Sequence, residues 1–142
     1  SLSQMGRDAT AIAPELLAQL QTGKAQDVSM VLQVISHADP LPEGLEKVAI
    51  GYCNSKDFHE KLAGLNCLSR ISPLLSDAGV QAAIQRLKDP LDMVRMVSVD
   101  VLARVANRPD VLSALEVARD AEKNKRVQQK IERLLNDPNR GR

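Results

Sequence analysis

Apolar residues return along this chain at a fixed long period. Isoleucine or leucine recurs at Leu2, Ile35, Leu68, Leu102 and Leu135, at spacings of 33, 33, 34 and 33. A second apolar row runs through Leu17, Ile50, Ile84 and Val117, at 33, 34 and 33. Within each period the apolar positions fall three to four residues apart, and no strand-like alternation persists. Two rows at one such period predict a helical solenoid, in which each pair of helices stacks only on its neighbours. The predicted helices lie near 9–21, 25–38, 43–53, 57–71, 77–88, 90–106, 109–121 and 125–136. Gly23, Asp39-Pro40, Asn54, Ser72-Pro73, Asp89-Pro90, Asn107 to Pro109 and Asp137-Pro138 punctuate them. The expected fold class is all-α, a right-handed α-α superhelix of about four helical hairpins, with units near 7–39, 40–72, 73–106 and 107–138.

The sixth helix carries the clearest start signal. Asp89 can accept the free N–H groups of a first turn, and Pro90 then sits where its missing N–H costs nothing. Asp92 would place negative charge at the positive end of the helix dipole. At 100° per residue, Val94, Val97, Ser98, Val101, Leu102 and Val105 form one face. Met96, Asp100 and Ala103 fall opposite, with Arg95 and Arg104 flanking the stripe. Leu2 and Met5 share register with Leu102 and Val105. Residues 1–6 therefore read as the last turn of a helix from an earlier repeat, or as a cloning remnant, and 139–142 as a flexible tail. A missing neighbour would bare the surface around Leu2, Ile12 and Leu16, which predicts self-association through that end.

Composition narrows the function. The 142 residues suffice for one core without staples, and that core must be aliphatic, because there is one Tyr, one Phe and no Trp. Net charge is +1, so no global field draws the protein to nucleic acid or to a membrane surface. Residues 1–71 hold 6 basic and 8 acidic groups, and residues 72–142 hold 13 and 10, a mild asymmetry of −2 against +3. No apolar run approaches the roughly 20 residues of a membrane span. The N-terminal stretch has no secretory pattern, and a cytoplasmic location is expected.

From Asp89 through Pro90, Leu91, Asp92, Met93, Val94 and Arg95 to Val99 and Leu102, the sixth helix resembles the second helix of a HEAT repeat. Gly6-Arg7-Asp8-Ala9, with Ile12-Ala13-Pro14-Glu15-Leu16-Leu17 and Leu20, resembles the first helix of the short HEAT-like repeats also found in phycobilin lyases. The resemblance covers residues 2–137 and is carried by structural positions. It implies that Arg95 is structural and ties adjacent loops together by bonding a neighbouring Asp. At that position the other units have Val28, Lys61 and Gln128.

The same register weighs each chemically suggestive residue. Cys53 aligns with Leu20 and Leu87, and Cys67 with Val34, Val101 and Leu134, so both thiols read as core. With His59 they do not reach the four ligands of a zinc site. The segment from His59-Glu60 to Leu65 resembles one stretch of the deoxyhypusine hydroxylases, which hold two irons with several His-Glu pairs. Here the corresponding positions are Gln26-Asp27, Met93-Val94 and Arg126-Val127. His59 is instead expected as an exposed helix-start residue, and no metal or cofactor is expected.

His37, Arg70 and Arg104 share one register position and could form a ridge for an acidic peptide or a phosphate backbone, with Asp100 pairing Arg104. Tyr52 and Phe58 align with polar or small residues and flank the Asn54-Ser55 turn. They are expected near the surface as a hot spot, with Met93 and Met96 as lesser candidates. The expected partner-binding set is thus Tyr52, Phe58, His59, Arg70, Arg104 and Met96, and the structural set Arg95, Asp89 and Asp92.

No catalytic constellation emerges from these residues. The expected function is a non-catalytic protein or peptide scaffold within a longer repeat protein. One alternative is a nucleic-acid-binding or repair domain like the HEAT-like alkylpurine glycosylases, which the absence of Trp disfavours. A bilin-lyase-like or hydroxylase-like enzyme subunit is the other.

Overall fold

Capping and punctuation decide where the helices of this chain begin and end. The structure, a computed structural model, describes residues 2–23, 27–72 and 74–139, with side chains from residue 10 onward. Among these are eight α-helices and no strand: α1 (Leu2–Gln21), α2 (Val28–Ile35), α3 (Leu45–Cys53), α4 (Phe58–Ile71), α5 (Asp77–Arg86), α6 (Asp92–Ala103), α7 (Pro109–Ala121) and α8 (Lys125–Asn136). The chain divides into two compact units, Ser1–Ile71 and Ser72–Arg142, at the join between the second and third helix pairs.

Several helix ends lie where side chains satisfy orphan backbone groups. The Asp27 carboxylate accepts from the Met30 N–H at 3.0 Å, so α2 starts three residues later than the hydrophobic pattern suggests. Asn124 Oδ1 accepts from the N–H groups of Arg126 and Val127 and opens α8. Pro109 takes the first position of α7. Past the end of α1, Gly23 adopts φ +73°, a left-handed turn that glycine enters without a Cβ penalty.

Two expectations are corrected. Residues 2–10 do not split into a separate helical turn and a new helix. The backbone of Leu2–Gln21 is one helix with Pro14 inside it. Gly6 costs a helix only about 1 kcal/mol, too little to break one by itself. The side chains of Leu2 and Met5, and tail residues 140–142, lie outside the described residues. The second correction concerns α6, whose cap is Leu91 rather than Asp89. Asp89 is buried, its Oδ1 accepting from the Leu91 N–H at 3.0 Å, so it shapes the approach to the helix and leaves Asp92 as its first residue.

In the N-terminal unit, α1 and α2 pair, α3 and α4 pair, and α2 packs on α4. Its core holds Leu32, Ile35, Leu45, Leu65 and Leu68, all at most 1% exposed. Cys53 and Cys67 are both buried within it. Helices α3 and α4 meet at Gly64: a Cβ there would stand 2.7 Å from both the Ala49 carbonyl oxygen and the Cys53 nitrogen. The C-terminal unit repeats the scheme, with α5 on α6, α7 on α8 and α6 on α8. Val99, Val101, Leu102, Leu115 and Ile131 form its core. Ile35, Leu68 and Leu102 of the first periodic row are fully buried. The second row behaves differently: Leu17 is 6% exposed, Ile50 and Ile84 are half-buried, and Val117 is 62% exposed.

Candidate functional site

The half-buried and exposed ends of that second row meet in one place. Ile84 of α5, Leu87 just past its end, the segment Lys88–Pro90, and Ser113, Ala114, Val117, Ala118 and Ala121 of α7 line an open groove of about 600 Å³. This lies within the roughly 300–1,000 Å³ range of ligand clefts. Its floor arises because α7 carries two apolar stripes. Val111 and Leu115 point into the core and are fully buried. Ala114, Val117, Ala118 and Ala121, at helical i, i+3, i+4, i+7 spacing, line the groove.

One guanidinium fixes the polar end of the groove. Arg95 donates from Nε and Nη2 to the two oxygens of Glu122, at 2.8 and 3.0 Å. Its Nη1 donates to the carbonyls of Asp89 at 2.8 Å and Pro90 at 3.1 Å. Glu122 Oε1 also accepts from the Asn124 N–H at 3.0 Å, and Asn124 Nδ2 donates to Asp92 at 2.8 Å. The turn before α6, the start of α6 and the turn after α7 are therefore held by one forked donor. Asp89 faces Arg86 Nη1 at 3.5 Å. The two acids of the rim are thus each matched by an arginine. Lys88 and Lys123 are exposed on the same rim, and neither pairs with an acid among the described residues.

The lining offers one hydroxyl, Ser113, among mostly aliphatic side chains. Among the described residues, no three His, Cys, Asp or Glu side chains gather as a metal site, and no helix is long and apolar enough to cross a membrane.

No protein-family model matches the chain, and no curated protein or solved structure is significantly similar to it.

Of the partner-binding and structural candidates named from sequence, Arg95 and Asp89 line the rim of this groove and the others lie apart from it. Arg95 ties loops together, but through Glu122 and two backbone carbonyls rather than an Asp side chain. Tyr52 is half-buried, and its hydroxyl donates to the Leu20 carbonyl at 3.4 Å, so it is fastened to the end of α1. Burial and the nearby Glu60 charge raise its pKa. Phe58 is half-buried and meets the exposed His59 edge-on, with ring centroids 5.2 Å apart. Arg70 and His37 do come together, with Nη1 and Nδ1 3.5 Å apart. Asp100 pairs with Lys130 at 2.6 Å instead of Arg104, because α8 brings a lysine within reach across the helix pair. Arg104 is exposed, Met96 half-buried and Met93 54% exposed. Ile12 is 44% exposed and Leu16 half-buried at the surface expected to self-associate.

The groove residues Ile84, Lys88, Val117, Ala118, Glu122 and Lys123 were not among the sequence candidates. Their available signal is the second apolar stripe of α7, which its own Val111–Leu115 stripe makes unnecessary for the core.

Proposed function

We propose that this chain is a non-catalytic interaction module, built from HEAT-like helical hairpins in a right-handed solenoid, that holds a protein or peptide partner in the groove between α5 and α7. The solenoid reading is supported by the two apolar rows at 33–34 residues, by helices that pair in order, and by the packing of α2 on α4 and of α6 on α8. The HEAT-like reading is supported by Arg95, which joins neighbouring turns from the position where that family places an arginine.

The observation that carries the binding site is the contrast at one repeat position. Leu17 on α1 is 6% exposed, while its register counterpart Ile84 on α5 is half-buried beside open space. In the N-terminal unit, Tyr52 bridges α3 to the end of α1. Its counterpart on α7 is Arg119, which turns to Asp120. The groove is therefore a property of this unit's residues and not of the repeat alone.

The test is affinity capture from lysate with and without nuclease, comparing wild type, Val117→Asp and a Tyr52→Ala/Phe58→Ala variant. A protein retained after nuclease, lost with Val117→Asp and kept with the double variant is the expected result. Material lost with nuclease alone would replace this reading with nucleic-acid binding.

A further inference from the structure

We infer that the occupant of the α5–α7 groove is an amphipathic α-helix with a carboxylate-bearing end that faces Lys88 and Lys123. This deepens the proposed reading of the groove as a partner site and rests on it.

The shape of the floor points to a helix. Ala114, Val117, Ala118 and Ala121 run about 10 Å along α7, two turns at 1.5 Å per residue. Three of the four side chains are methyl groups. Small residues on one helix admit the ridge of another at close interaxial distance. Ile84 supplies a larger wall opposite. A partner helix with apolar residues at i, i+3 or i+4, and i+7 matches that floor, in the manner of helix-in-groove recognition.

Charge selects the sign of the partner. The rim acids Asp89 and Glu122 face Arg86 and Arg95, so they contribute no free negative charge. Lys88 and Lys123 remain as two cations beside an apolar floor. Each follows the last turn of a helix, α5 or α7, and partly offsets the negative end of that helix dipole. The attraction left for a partner's Asp or Glu therefore tunes affinity and orientation, while the apolar floor supplies most of the binding.

The test begins with selection of an unbiased phage-displayed 18-residue library on the full chain. Affinities of the enriched peptides are then measured by fluorescence anisotropy. Enriched sequences should share a helical apolar period with Asp or Glu gathered at one end, and should gain helicity by circular dichroism on binding. Val117→Asp should weaken binding at least tenfold. Lys88→Glu/Lys123→Glu should weaken it about threefold to tenfold, as exposed charge pairs do. Binding should recover when the peptide's carboxylates are exchanged for lysines. Val117 and both lysines are exposed, so each variant should melt like wild type.

No enrichment, or enriched peptides without a helical apolar period, overturns the inference. If Val117→Asp leaves binding intact, the groove reading fails as well. If Val117→Asp abolishes binding but charge reversal on either side changes nothing, the groove reading stands and the acidic-helix inference alone fails.

Discussion

Gly64 and Cys67 show how closely single residues of the N-terminal unit are held. At Gly64, a methyl group would meet backbone atoms of α3 at 2.7 Å, and the Cys53 sulfur at 3.1 Å. Backbone cannot rotate aside as a side chain can, so α3 and α4 would have to separate. Gly64→Ala gains about 1 kcal/mol of helix propensity. Overpacking of this kind costs about 1–3 kcal/mol, and two backbone clashes place it at the upper end. The expected net loss is about 2 kcal/mol by denaturant unfolding; a neutral or stabilised variant would show that the helices part at little cost. Cys67 is held chemically. Burial pushes its thiol up to about 12 from 9.0, with Arg70 pulling the other way. The folded state keeps this proton more tightly than the unfolded chain. Its contribution to stability is therefore complete below pH 9 and is lost as pH rises from about 9 to about 12. Wild type should lose more stability than Cys67→Ala between pH 8 and about pH 11. Equal losses in urea titrations would remove Cys67 from the alkaline transition.

Arg95 is the residue through which two elements and two turns are joined. Its side chain is 18% exposed and that of Glu122 4% exposed. Removing the cation alone strands a buried carboxylate, whereas replacing both partners with apolar groups strands no charge and releases only the Asp89 and Pro90 carbonyls and the Asn124 N–H. Arg95→Ala should destabilise by about 3 kcal/mol, and Arg95→Met/Glu122→Leu by distinctly less. Equal destabilisation by the two variants would mean that packing, not the stranded charge, sets the loss. That pair also marks how far this element was legible in sequence. The resemblance to a HEAT repeat implied that Arg95 is a structural tie, but its partner lies 27 residues away, in a turn that no local rule connects to it. Local rules served well where local groups decide, as with Pro109 and the α7 and α8 boundaries. They failed at Asp89, because an Asx turn and an N-cap demand the same residue type, and only the backbone path chooses between them. The groove escaped for a related reason. Periodicity treats Leu17, Ile84 and Val117 as equals, yet their burial depends on what the next helix places opposite them.

At the scale of the whole chain, the division after Ile71 separates two sets of core residues. Leu32, Leu65 and Leu68 belong to one, and Leu102, Leu115 and Ile131 to the other. In the proposed repeat array, stability would be a sum of local terms and nearest-neighbour terms, so damage would not have to spread evenly. Leu68→Ala removes a fully buried side chain and should cost about 2–5 kcal/mol within the N-terminal unit. Native-state hydrogen exchange reads where that loss falls, because each amide reports the opening of its own cooperative region. Amides of α2, α3 and α4 should lose protection by most of that amount, while those of α7 and α8 keep theirs. The reciprocal variant Leu115→Ala, equally buried, should invert the pattern. Uniform loss along the chain in both variants would show that the two units open as one, so that the division between them does not divide the energy of the fold.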